Sequence, residues 1–288
     1  MIHKLQAERS MSRPAKILRR TQAAVAPLFT ILIIVLSWPP AFAQSSPEYS
    51  SERSYSSEHS EDDRGLSFGT ETDLSSDYAW RGMVLGNRPV VQPSIWISAR
   101  RFTLIASRNL TPASTPESLP LHATDLTLTY GRDWKNLRIE PAIEGYLNGR
   151  LAGVHDPNTM EGQLKLSYPA GPLRVFTIHS FDVLAYKGSY FGEAGAGYER
   201  RVTNRTSFAV SFRSGWASSK FNDAYIGVNK PAFNFVGAEG SFTRYLNRYL
   251  YLQPHFEFSN IVDRELRQQL SRPTFISFGL AIGMEFSK

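Results

Sequence analysis

The chain has 288 residues, no cysteine and a formal net charge of +6. Without cysteine it can form no disulfide, no thiolate metal site and no lipid-modified cysteine. The charge is an amino-terminal matter. Residues 1–43 hold Lys4, Arg9, Arg13, Lys16, Arg19 and Arg20 against Glu8, which leaves residues 44–288 close to neutral and implies no nucleic-acid partner.

Those basic residues open a secretory signal. An apolar core follows from Ala23 to about Trp38, and Ala41-Phe42-Ala43 supplies a small-x-small cleavage pattern before Gln44. The run is shorter than the ~18 residues a membrane anchor needs and stops at Pro39-Pro40. Cleavage after Ala43 is therefore expected, with translation starting at Met1 or Met11. Residues 44–64 are rich in Ser, Glu and Asp and nearly devoid of apolar side chains, so they are expected to be a short disordered segment.

From residue 65 the pattern has period two. In the last segment, Phe278, Leu280, Ile282, Met284 and Phe286 alternate with Gly279, Ala281, Gly283 and Glu285. Such alternation makes a strand with one greasy and one small or polar face. Twelve such segments can be laid out, over about 66–80, 90–99, 102–110, 122–134, 137–149, 160–170, 173–186, 190–200, 206–217, 231–245, 250–262 and 273–286. Tight turns at Arg100-Arg101, Lys135-Asn136, Gly171-Pro172, Thr203-Asn204 and Asn247-Arg248 alternate with mostly long gaps. Sorting by parity, after an export signal, points to one fold class: all-β, a single antiparallel transmembrane β-barrel of about 12 strands over 65–288. Aromatic residues at strand ends, including Tyr78, Trp80, Tyr130, Trp134, Tyr186, Tyr190, Trp216, Tyr245, Tyr249 and Phe286, read as two girdles. Phe286 resembles the aromatic end of an outer-membrane assembly signal, displaced by Ser287-Lys288, so outer-membrane lipid and the assembly machinery are expected partners.

The segment Thr72-Asp73-Leu74-Ser75-Ser76-Asp77-Tyr78-Ala79-Trp80-Arg81-Gly82-Met83 resembles the S-D-Y-x-[FW]-R-G opening strand of the TorF porin family, bacterial outer-membrane barrels of largely undefined function. Pro89-Val90-Val91-Gln92-Pro93-Ser94 and Ser107-Arg108-Asn109-Leu110 are similar to that family's second and third strands. The resemblance implies a Gram-negative outer-membrane barrel and a loose porin function. It covers about 70–110 and carries over no catalytic residue.

Alternation assigns inner faces. Glu71, Asp73 and Asp77 fall inside on the first strand, opposite in parity to Leu66, Phe68, Leu74, Tyr78 and Trp80. Arg138, Glu140, Glu144 and Tyr146 follow on the fifth, Glu161, Gln163 and Lys165 on the sixth, and Glu193 and Glu199 on the eighth. Arg213 falls inside on the ninth, His255, Glu257 and Ser259 on the eleventh, and Glu285 on the twelfth. The third, seventh and tenth strands are too evenly mixed to assign.

Acids outnumber bases on this face, which suits a lumen that attracts cations. The expectation is a monomeric passive channel or porin for small solutes, with a plugged structural or adhesive barrel as the alternative. A lipid-hydrolysing barrel ranks third. Residues two apart on a strand are about 6.6–7 Å apart, beyond the 2.6–3.2 Å reach of a nucleophile and its base, so His255, Glu257 and Ser259 do not read as a catalytic set. No enzyme activity, cofactor or metal site is expected from these six histidines and their spacing.

Overall fold

The computed structural model describes residues 65–86, 88–110, 123–148, 150–151, 154–155 and 157–287. The signal peptide, its cleavage after Ala43 and the 44–64 segment lie outside these residues.

Twelve strands close into one antiparallel barrel. They are β1 (Leu66–Ser75), β2 (Val90–Ala99), β3 (Phe102–Asn109) and β4 (Ala123–Tyr130, continued by Arg132–Trp134). Next come β5 (Leu137–Asn148), β6 (Thr159–Ala170), β7 (Leu173–Asp182) and β8 (Tyr190–Thr203). The last four are β9 (Thr206–Ala217), β10 (Ala232–Tyr245), β11 (Leu250–Ile261) and β12 (Thr274–Ser287). Each strand pairs with the next, and β12 pairs back onto β1 with Ile282 opposite Thr72. Closure leaves no sheet edge, the condition under which strands can cross a bilayer.

The connections sort by end as parity demands. Arg100-Arg101, Lys135-Asn136 and Gly171-Pro172 are two-residue turns between paired residues Ala99/Phe102, Trp134/Leu137 and Ala170/Leu173. Their first residues have φ of 56°, 55° and 65°, the positive value that lets a two-residue turn follow strand twist. These turns share one end of the barrel with Leu66 and Ser287, hereafter the turn end. The longer connections lie at the loop end.

Side-chain exposure follows the period-two pattern. On β12, Phe278, Leu280, Ile282 and Met284 are exposed while Phe275, Ser277, Ala281 and Gly283 are buried. Water would penalise that apolar exterior; hydrocarbon does not. Aromatic groups rim the exterior at both ends. Phe286 stacks between Phe68 (5.2 Å) and Tyr249 (4.9 Å) at the turn end, while Phe181 packs on Tyr190 (4.8 Å) at the loop end. A directed hydrogen-bond chain runs through the second rim. Trp216 Nε1 donates to the Tyr190 hydroxyl (3.0 Å), which meets His179 Nδ1 (2.9 Å), while His179 Nε2 meets Thr177 Oγ1 (3.1 Å) and Thr177 donates to the Glu193 carbonyl (2.9 Å). One neutral tautomer satisfies every link, as a lipid-facing polar group requires.

Two boundaries depart from the alternation. β7 ends at Asp182, because the Asp182 carboxylate accepts from the backbone of Leu184 and Tyr186 (2.9 Å each) and turns the chain. More consequentially, β1 ends at Ser75. Tyr78 and Trp80, read above as lipid-facing girdle residues, are instead buried in a separate hairpin (Tyr78–Trp80 with Met83–Gly86). Tyr186 likewise leaves the girdle and packs on Tyr225 in the loop region (5.1 Å).

Candidate functional site

The hairpin tip lies inside the mouth at the loop end. Arg81 (φ 50°) and Gly82 (φ 78°) make its turn. Trp80 meets the Tyr146 ring of β5 edge-on at 6.3 Å. The Arg81 guanidinium grips Glu161 of β6 with two hydrogen bonds, one at 3.0 Å, and sits 4.8 Å from the Phe191 ring of β8. Gly82 lies against Phe235 of β10, where a Cβ would be 2.4 Å from Phe235 Cγ, and its carbonyl accepts from Ser259 Oγ of β11 (3.2 Å). One turn thus touches five strands on different sides of the barrel. It crosses the mouth.

Two helices complete this cap. α1 (Ser219–Ile226) is capped by Ser218, whose side chain accepts from the Phe221 N–H, and by Gly227 in the left-handed region. α2 (Arg264–Gln269) is capped by Asp263, which accepts from the N–H groups of Glu265 (2.9 Å) and Leu266 (3.1 Å). Lys230 Nζ clasps the two loops together through Asp263 (2.9 Å) and Glu265 (2.7 Å). Burial alone would raise the Asp263 carboxyl, but the hydrogen bonds from Lys230, Leu266 and Glu265 outweigh it and hold the group below the usual carboxylate range. Phe221, Phe235, Ile261 and Leu266 are all 0 % exposed, joined by Trp80, Met83 and Phe191. At about 1.5–3 kcal/mol for each large side chain fully buried, this core holds the hairpin closed at rest.

Below and beside the cap the wall is charged, and its groups fall into local sets. Near the β12–β1 closure, the Tyr251 hydroxyl donates to Glu71 (2.5 Å), and Asp73 accepts from Ser75 Oγ (2.8 Å) and meets His255 Nε2 (2.8 Å). Asp77 is held by Arg272 at the loop end. On β8 to β11, Arg213 gathers Glu193 (3.6 Å), Glu239 and Glu257 (2.8 Å). On the opposite wall Glu144 stands directly across the ladder from Glu161, and Glu140 across from Lys165. Arg138 turns to Glu140 (3.0 Å) and Asp133 (3.3 Å) toward the turn end, and Lys165 Nζ sits 5.6 Å from the Phe176 ring. A small cavity of about 70 Å³ is lined by Asp73, Gln92, Ser211, Glu239, His255 and Phe256 among others. His255, Glu257 and Ser259 are thus each turned to a different partner: Asp73, Arg213 and the Gly82 carbonyl.

Several inner charges escaped the sequence reading. Arg81 and Arg272 lie beyond the regular strands. Asp125 is buried on β4, where Asp125, Thr127 and Thr129 alternate with Leu126, Leu128 and Tyr130, a pattern that was there to be read. Glu239 sits on β10, whose parity flips. Trp216 pairs with Phe233 but Gly215 with Phe235, so Asn234 is an extra residue, and phenylalanines two apart face opposite ways. β7 is mixed because Phe176 and Ile178 are buried on the inner face while Val175 and Phe181 are exposed outside. Of the bases on the three mixed strands, Arg108, His179 and Arg244 share the outward parity and Arg174 lies exposed near the turn end.

No family model matches the chain, and no curated protein does. Solved structures match the fold. The NanC porin aligns with a TM-score of 0.50 at 9% identity over 76% of this chain and 98% of that one. An outer-membrane channel from Pseudomonas putida F1 aligns at 0.43 and 10% over 86% and 100%, and a KdgM porin in complex with disordered oligogalacturonate at 0.43 and 10% over 76% and 98%. The chain has the fold of an outer-membrane β-barrel of the porin-like kind.

Proposed function

We propose that the protein resides in the outer membrane, with the loop end outward, and is a passive channel for small cationic solutes whose outer mouth is closed by the Tyr78–Gly86 hairpin. The observation that carries this reading is the inner wall. Glu71, Asp73, Asp125, Glu140, Glu144, Glu161, Glu193, Glu239 and Glu257 stand against Arg81, Arg138, Lys165 and Arg213, with His255 beside Asp73. Fixed negative charge in a narrow low-dielectric passage concentrates cations and repels anions. The TorF-like motif around Asp77 to Gly82 favours the same reading, since its Trp-Arg-Gly forms the closing tip. The channel works as a monomer assembled through Phe286, and no chemistry is assigned to it.

Reversal potentials across a KCl gradient test the selectivity. Cation preference is expected at low ionic strength and should fade as salt screens the wall. Glu140→Gln with Glu144→Gln should lower the cation-to-anion permeability ratio several-fold, and anion preference in the unaltered protein would sink the idea.

The packed cap favours a second reading, a permanently plugged barrel whose outer loops bind a partner. Folded protein that stays electrically silent after the hairpin is removed would support it.

A further inference from the structure

Arg81 occupies a conformation that non-glycine residues seldom adopt, and its side chain is only 9% exposed although it comes from a turn. The surroundings explain why it stays. The Glu161 carboxylate, 1% exposed, takes two of its N–H groups in a fork. The rings of Trp80, Phe191 and Phe221 approach the guanidinium carbon to 4.5, 4.8 and 5.3 Å. The Tyr146 hydroxyl donates to Glu161 at 3.4 Å and so helps fix its orientation.

Of these groups only Trp80 belongs to the hairpin. Tyr146, Glu161, Phe191 and Phe221 belong to β5, β6, β8 and α1. The pocket is therefore built by the wall and one helix, and the guanidinium enters it from a separate segment. A second carboxyl group, Glu144, stands directly opposite Glu161 on the neighbouring strand. A planar carboxylate fork combined with aromatic faces matches a planar, weakly hydrated cation better than a compact, strongly hydrated ammonium.

We propose that this pocket is a recognition site for alkylguanidinium solutes, occupied in the closed barrel by Arg81, whose place an incoming solute takes as the hairpin leaves the mouth. The proposal names the cation class of the channel and so rests on that reading for its physiological sense, but its binding test does not. Arg81 is a tethered competitor, and the burial of Trp80 and Met83 adds to its hold, so displacement from the unaltered protein should need ~10 mM solute or more.

The test uses full-length protein refolded in detergent, with barrel closure checked by its mobility in unheated gels. Methylguanidinium is the probe and methylammonium the comparison, at matched ionic strength. In Arg81→Ala, methylguanidinium should raise the unfolding temperature saturably by several degrees and bind at least ~10-fold tighter than methylammonium. Adding Glu161→Gln should abolish the response. If Arg81→Ala does not close, Arg81→Met retains the packing of the stem and serves the same comparison. The unaltered protein needs no variant: methylguanidinium should speed hydrogen exchange across residues 78–86 and leave β1 to β12 protected. Absence of saturable binding, binding indifferent to Glu161→Gln, or a hairpin whose exchange does not change would each overturn the proposal. Conductance is measured separately, so electrical silence with binding intact would count against the channel and not against the pocket.

Discussion

Gly283→Val is expected to destabilise the barrel by roughly 3–5 kcal/mol, through its closing seam rather than through a strand of its own. On the inner face Tyr251 of β11, Gly283 of β12 and Glu71 of β1 lie in one row across three strands. A Cβ on Gly283 would fall 2.3 Å from Tyr251 Cζ, which means that the ring lies across the glycine to bring its hydroxyl to Glu71. Valine would push the ring aside at an overpacking cost of about 1–3 kcal/mol. It would also cost the hydrogen bond to the fully buried Glu71 carboxyl group, at about 1–3 kcal/mol for a buried acceptor left unsatisfied. Tyr251→Phe keeps the ring and removes the hydroxyl, and should cost about half as much. Urea unfolding of the three proteins in lipid vesicles reads the difference, and equal losses would show that the ring needs no passage. His255 uses the same device, since a Cβ on Gly279 would meet its Nε2 at 2.3 Å on the way to Asp73.

Leu280→Arg should cost about 2–4 kcal/mol near the bilayer midplane and leave much of the protein unassembled. Leu280 is 37% exposed on the face that carries Phe278 and Ile282. Alternation alone would make Ala281 the inward control, but at 1% exposed it is too tightly packed for an arginine. Gln163 is the better choice. It is half-buried on the inner face of β6 beside Ser180, in a wall with carboxylates to spare. Assembly yields of Leu280→Arg and Gln163→Arg that matched would refute the assignment of faces.

Strand number, closure and most strand limits could be read because the bilayer imposes a strict period of two and a strict sorting of connections. The cap could not. Leu74, Tyr78 and Trp80 keep the parity of a lipid-facing row, so alternation ran on through Ser76-Asp77, where the chain in fact turns into the lumen. Period two says where a residue points relative to its strand and nothing about where the strand goes. For the same reason Arg81, the cation that the wall grips at the mouth, was invisible as a site residue, although Gly82 beside it marked a turn. Glu239 was lost to the extra residue at Asn234, because a bulge defeats parity without changing composition. The carboxylates on regular strands were the legible part. Their partners two strands away, such as His255 for Asp73 across the closing seam and Arg213 for Glu257 across β10, depend on register and closure and were not.

The central claim is that an acidic passage lies behind a removable closure. Planar-bilayer recordings of the unaltered protein beside a variant in which residues 79–85 are replaced by a Gly-Ser linker test it most directly. The account predicts rare or small openings in the unaltered protein and discrete, larger, cation-preferring steps in the variant. A variant that is folded and inserted yet silent, or an unaltered protein that conducts as freely as the variant, would contradict it.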